Sequence, residues 1–135
     1  MYLIDTNVWL ERLLEQDHSE EVKRFLAETP SDQLCLTDFA LHSVGVVLIR
    51  LGRSDTFGTF VHDLFIEGAV RLIQLGVEDL MRLMRVSERF SIDFDDSYQY
   101  VAATTYNLTL VSFDTDFDRT DLGRAVPAQL LQGGS

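Results

Sequence analysis

Apolar positions fall in short blocks, each closed by a polar junction. The run Tyr2-Leu3-Ile4, ended by Asp5, predicts a buried strand. Beyond it Val8, Leu10, Leu13 and Leu14 recur on one side of a helix that starts near Asn7, capped by Asp5 or Thr6. Asp17 to Ser19 breaks that pattern. Ser19, Glu20 and Glu21 open a second helix that buries Val22, Phe25 and Leu26 and keeps its acids at the positive end of the dipole. Thr29-Pro30-Ser31-Asp32 reads as a turn.

The same alternation continues. Leu34 to Leu36 is a short strand, and Thr37 or Asp38 begins an apolar helix from Phe39 to about Leu51, stopped by Gly52. Ser54 and Asp55 open a helix with Phe57, Phe60, Val61, Leu64 and Phe65 at helical spacing, ended by Gly68. Val70 to Leu75 is a strand, and Val77, Leu80, Met81 and Met84 belong to a helix whose end or connection falls in Ser87 to Ser91. Asp95 or Asp96 introduces a helix through Tyr98, Tyr100, Val101, Ala102 and Ala103, with Asn107 as a left-handed terminator. Leu108 to Ser112 is a strand followed by a loop over Phe113 to Asp118. Val126 to Leu131 is expected as a last strand, with Pro127 at its beginning or on an edge. Strands alternating with helices predict an α/β fold with a mostly parallel sheet covered on both faces. One domain over 1–131 and a flexible tail over 132–135 are expected.

Composition narrows the function. The chain has 135 residues, 46% of them hydrophobic, which suits one domain with a full core. Acidic residues number 22 against 11 basic ones, and the formal net charge is −11, so a basic surface alone does not hold a partner here. Lys23 is the only lysine; the other cations are arginines, which suit bidentate phosphate or carboxylate contacts. The single cysteine, Cys35, excludes an internal disulfide and a multi-cysteine zinc site, and its setting between Leu34 and Leu36 predicts burial. The opening stretch, interrupted by Asp5 and Glu11, does not read as a signal peptide, no apolar run has the length of a membrane span, and a cytoplasmic protein without membrane association is expected.

The acids fall at strand ends. Asp5 follows the first strand, Asp38 the second, and Asp114 and Asp116 the strand at 108–112, while Asp95 and Asp96 precede a helix. In a parallel sheet these junctions share the carboxyl edge, where active-site crevices form. Carboxylates gathered at close range need compensation, and Mg²⁺ or Mn²⁺ supplies it with oxygen ligands; one or two such ions would support phosphodiester hydrolysis. Each acid has an ordinary alternative. Asp38 and Asp95 suit helix caps, and Asp118 and Asp121 suit a solvated loop.

Three segments resemble the PIN-domain family of small, single-domain toxin ribonucleases: Leu3-Ile4-Asp5-Thr6-Asn7-Val8-Trp9-Leu10, Phe94-Asp95-Asp96-Ser97-Tyr98-Gln99-Tyr100-Val101-Ala102-Ala103, and Leu110-Val111-Ser112-Phe113-Asp114-Thr115-Asp116-Phe117. The resemblance implies a three-layer α/β/α fold with a central sheet of four or five strands. It implies a magnesium- or manganese-dependent endoribonuclease acting on RNA, in many small members the toxin of a toxin–antitoxin pair, with a homodimer and a cognate antitoxin as partners. It places metal-binding catalytic acids on Asp5, Asp96, Asp114 and Asp116, with Asp95 as the neighbour of Asp96, and supporting polar groups on Thr6 and Asn7. The family usually has a glutamate in the helix after the second strand. No glutamate occurs in Thr37 to Gly45, and the register points to about Ala40, His42 or Ser43, with Asp38 one turn before His42.

Arg119 lies beside the acid loop and is a candidate phosphate contact. Arg82, Arg85 and Arg89 recur at helical spacing as another candidate surface, for which a solvated helix face is the commoner use. The alternative expectation is a catalytically degenerate PIN-like domain that binds RNA or protein. An aspartyl phosphatase fits less well, because Asn7 stands where a second acid belongs and Lys23 lies in an early helix.

Overall fold

The computed structural model describes residues 1–131 of the chain. Four strands, β1 (Tyr2–Ile4), β2 (Leu34–Thr37), β3 (Arg71–Ile73) and β4 (Thr109–Val111), form one parallel sheet in the order β3-β2-β1-β4. Parallel neighbours require crossovers, and helices provide them. α1 (Thr6–Leu13) and α2 (Ser19–Glu28) join β1 to β2. α3 (Asp38–Arg50) and α4 (Ser54–Val61) lead to β3, and α5 (Val77–Phe90) and α6 (Phe94–Thr105) lead to β4.

Strand periodicity divides the core into two layers. Ile4, Leu36 and Val111 face a cluster with Val8, Trp9, Phe25, Val44, Leu48 and Phe60 from α1 to α4. Their neighbours Leu3, Cys35 and Leu110 face the other side, with Ala102, Ala103 and Phe117. A third cluster, Leu83, Val86, Ile92, Tyr98 and Val101, binds α5 to α6. The three-layer α/β/α expectation and the burial of Cys35 are met, and the sheet has four strands.

Two segments depart from the sequence-based reading. The expected last strand is reduced to one bridge between Ala125 and Val111, after which Pro127–Leu130 forms a 3-10 turn. Pro127 has no N–H to continue a ladder, and the Val126 N–H donates to Gln129 Oε1 at 3.0 Å, which curls the chain. The helix expected to open at Ser54 and end at Gly68 has these bounds but is α4 continued by π-helical turns from His62 to Glu67. Gly68 ends it where a Cβ would lie 2.8 Å from the Asp63 carbonyl oxygen, so only glycine fits without a backbone shift. The expected tail at 132–135 lies outside the described residues.

The strand order fixes where a site can form. From β1 the chain moves to β2 and then β3 on one side, and returns to place β4 on the other side of β1. The carboxyl ends of β1 and β4 therefore flank the crevice at the topological switch point. The loop after β4 is anchored there by Phe117, which is fully buried. Replacing Phe117 by alanine is expected to lower stability by about 3–5 kcal/mol. Urea unfolding of the Phe117→Ala variant measures this, and a loss below about 1 kcal/mol would mean that the loop is held by its hydrogen bonds alone.

Candidate metal centre

Asp5 directly follows β1 and is the N-cap of α1. Its extended backbone turns the carboxylate back onto the Thr6 N–H at 2.9 Å. Three more donors reach it: Gln99 Nε2 from α6 at 3.0 Å, the Ser112 hydroxyl beyond β4 at 2.8 Å, and Asn7 Nδ2 at 3.4 Å. Each carboxylate oxygen thus accepts twice. Burial raises the Asp5 pKa, and its hydrogen bonds with Ser112, Thr6 and Gln99 oppose that rise without cancelling it. Gln99 is itself fixed, because the Thr37 hydroxyl donates to its Oε1 at 2.7 Å.

α6 begins at Phe94, one residue before the expected start, and its cap is Asp93, which accepts from the Asp96 N–H at 3.0 Å. Neither Asp95 nor Asp96 is needed as the cap. Asp95 stays exposed at the rim, where partial burial and then the charge of Asp93 raise its pKa. Asp96 turns inward and is buried, with Oδ2 lacking any hydrogen-bond partner among the described residues. Burial, followed by the charges of Asp114 and Asp93 and a lesser one from Asp5, pushes the Asp96 carboxyl up to about 8.

The third group comes from the loop after β4. Asp114 caps a 3-10 turn over Thr115–Arg119 by accepting from the Asp116 N–H at 2.9 Å, and its own N–H donates to Ser112 Oγ at 3.0 Å. Ser112 therefore ties this loop to Asp5, and the Phe113 N–H adds a bond to Asn7 Oδ1 at 3.1 Å. Asp96, Asp114 and Asp116 each bring one carboxylate oxygen within 4.8 Å of the others. Beside them a cleft of about 210 Å³ is lined by Asp5, Thr6, Asn7, Ser43, Asp95, Asp96, Gln99 and Asp114, with Leu10 and Phe39 as its apolar wall.

The fourth junction does not contribute its acid. Asp38 accepts from its neighbour's backbone N–H at 2.9 Å and from the Tyr98 hydroxyl at 2.7 Å, which turns it away from the cleft. His42 is exposed on another face of α3, beside Gly45, Val46 and Phe57. Ala40 is buried, and α3 presents the Ser43 hydroxyl to the cleft instead. Arg119 pairs with Asp116 at 3.4 Å and donates to the Ser91 carbonyl at 2.9 Å. Sequence reasoning missed Ser112, Gln99, Thr37 and Asp93. Ser112 carried a signal, as a hydroxyl at a strand end two residues before an acid; Gln99, inside an apolar helix, carried none.

The donor set fits a hard divalent cation. It is all oxygen, it carries more negative charge than its own hydrogen bonds offset, and one buried carboxylate oxygen is orphaned. Asp96, Asp114 and Asp116 are the residues that could hold such an ion. Asp5 stands behind them, already saturated by neutral donors.

The model of the family described as PIN domain matches residues 2–122. The chain belongs to the PIN-domain family. No curated protein matches it. Among solved structures, this PIN domain is similar to a toxin–antitoxin complex from Klebsiella pneumoniae, with a TM-score of 0.74 and 19% identity over 94% of this chain and 98% of that one. A sarcin-ricin loop cleaving toxin of Mycobacterium tuberculosis aligns with a TM-score of 0.75 and 15% identity over 87% and 93% of the two chains. FitAcB from Neisseria gonorrhoeae aligns with a TM-score of 0.72 and 20% identity over 94% and 98%. At these identities the likeness is one of fold.

The raised Asp96 carboxyl has a consequence for stability. Between its ordinary value of 3.8 and about 8, the folded PIN domain keeps a proton that the unfolded chain has released. Without divalent cations, stability therefore falls as pH rises through this window, and Asp5, also raised, acts in the same direction. Calorimetry in EDTA is expected to show the Tm of Asp96→Asn above that of the wild type by several degrees near pH 8, with the gap closing near pH 5. Parallel pH profiles for the two proteins would remove Asp96 as the source.

Proposed function

We propose that this PIN domain is a Mg²⁺- or Mn²⁺-dependent endoribonuclease that hydrolyses RNA phosphodiester bonds, and that it is the toxin of a toxin–antitoxin pair. The observation that carries the reading is the convergence of Asp96, Asp114 and Asp116 at the switch point, with one buried carboxylate oxygen left without a partner. A bound ion would supply Lewis-acid stabilisation of the charge that develops on the scissile phosphate. The chain's own residues do the rest. Asp96 and Asp114 would hold the ion from a helix start and a capped turn. Asp116, at the mouth, helps position the attacking water and is itself oriented by Arg119. Asp5 keeps the β1 and β4 edges in register through Ser112 and Asn7, and its long 3.4 Å contact with Asn7 is the one most readily exchanged for a metal or a water.

The toxin assignment draws support from fold relatives, one in a toxin–antitoxin complex and one a toxin. A homodimer, a cognate antitoxin and a cytoplasmic setting complete the proposal; no helix among the described residues is long and apolar enough to cross a membrane.

One observation favours a second reading. α3 brings no carboxylate to the cleft, because Asp38 is engaged by Tyr98 and Ser43 occupies the facing position. A PIN-like domain that binds RNA or protein without turnover would have this composition.

Cleavage of mixed structured and single-stranded RNA separates the readings. The wild type is expected to cleave with Mn²⁺ or Mg²⁺ and to stop in EDTA, and Asp114→Asn and Asp5→Asn are each expected to lose activity by at least about a hundredfold while staying folded. Tight RNA binding without turnover in a partner-free preparation would favour the binding module. Unchanged cleavage by Asp5→Asn would remove its assigned role.

A further inference from the structure

α5 has a cationic stripe that the acidic centre does not use. Arg82, Arg85 and Arg89 follow one another at intervals of three and four residues, so their side chains share one face over about 10 Å of helix. With Val86 and Tyr100 they line a depression of about 350 Å³. No carboxylate among the described residues forms a salt bridge with any of the three, although the chain carries 22 acids.

Two of the guanidinium groups are held in place. The terminal nitrogens of Arg82 donate to Thr104 Oγ1 at 2.6 Å and Thr105 Oγ1 at 3.1 Å, both neutral partners that leave its charge uncompensated. Arg89 lies over the Phe90 ring at 4.6 Å. The Tyr100 hydroxyl donates to Asp121, whose carboxylate feels the charge of Arg89 without forming a salt bridge with it. Fixed, charged and unpaired planar forks in a depression are suited to phosphate oxygens.

The stripe also leads to the acids. α5 ends at Phe90, and the next carbonyl, that of Ser91, accepts from Arg119, whose other terminal nitrogen pairs with Asp116. Arg89 is thus the stripe's near end and Arg82 its far end. Glu78, one turn before Arg82 on the same helix, bounds it.

We propose that Arg82, Arg85 and Arg89 form a phosphate-binding track that holds the backbone of a single-stranded RNA as it leaves the acidic centre. The strand's identity rests on the nuclease reading above; the track itself rests on the arginine geometry. It also answers how an acidic chain holds a polyanion: neutralisation is confined to one helix edge, where each contact releases counterions.

The test is binding of a short fluorescent single-stranded RNA in EDTA, titrated with salt, for the wild type and for Arg85→Gln/Arg89→Gln. Arg82 is left in place because it supports Thr104 and Thr105. The variant is expected to bind about tenfold more weakly at low salt, and its log affinity against log salt to flatten by about 0.7 for each phosphate contact removed. A charge-matched control, Arg50→Gln/Arg53→Gln at the junction of α3 and α4, is expected to bind like the wild type. Equal affinity and slope in the α5 variant, an equal loss in the control, or no RNA binding by the wild type would each overturn the track. Metal-dependent cleavage is measured in parallel. Absent cleavage with a binding defect confined to the α5 variant overturns the nuclease reading alone, and intact cleavage with unchanged binding overturns the track alone.

Discussion

A buried carboxylate, Asp5, holds the site together, and it does so because its charge has to be satisfied. Taking an ionised group out of water is costly unless donors replace the water. At Asp5 the replacements come from Thr6 and Asn7 in α1, from Gln99 in α6 and from Ser112 beyond β4. Three separate parts of the chain must therefore be in register before Asp5 can be buried. The same bonds position the loop that carries Asp114 and Asp116, since Ser112 is shared between Asp5 and the Asp114 N–H.

Asp96 stands in the opposite condition. It is buried beside Asp114 and Asp5 with an oxygen that nothing pairs, and its carboxyl is driven up to about 8. The fold holds this unfavourable group in place with stability gained elsewhere: the Asp93 cap, the small residues Ala102 and Ala103 that seat α6 on the sheet, and Phe117 beneath the loop. Local destabilisation maintained by a rigid surround is the usual condition of a site whose favourable state includes a ligand. A satisfied carboxylate and an unsatisfied one, side by side, divide the labour between architecture and binding.

Much of this was legible in the sequence because strand ends carry their own punctuation. An apolar run stopped by an acid, as at Ile4-Asp5, marks both an element boundary and the carboxyl edge of a parallel sheet, so α/β class and crevice location came from the same residues. Three junctions converged as that argument requires. Asp38 did not, although its position relative to β2 is equivalent, because a partner sixty residues away, the Tyr98 hydroxyl, captures it. Local spacing cannot show a tertiary hydrogen bond. Gln99 was hidden for the same reason, and so was the curl at Val126-Pro127, where the Val126 N–H donates to the Gln129 side chain in place of the ladder that hydrophobicity suggested.

The charge distribution follows from these constraints. A cluster of acids strong enough to hold a divalent cation repels any polyanion wherever a bound cation would not cover it. Lowering the overall acidity would weaken the site, so the compensating cations have to lie near the acids without pairing with them. Arg119 shows one limit, being drawn onto Asp116 and thus into the site's own geometry. Arg82 shows the other: hydroxyl partners on α6 fix its orientation while leaving its charge unspent. Neutral hydrogen bonds to a guanidinium separate positioning from neutralisation, and that separation lets a net acidic domain present a cationic edge.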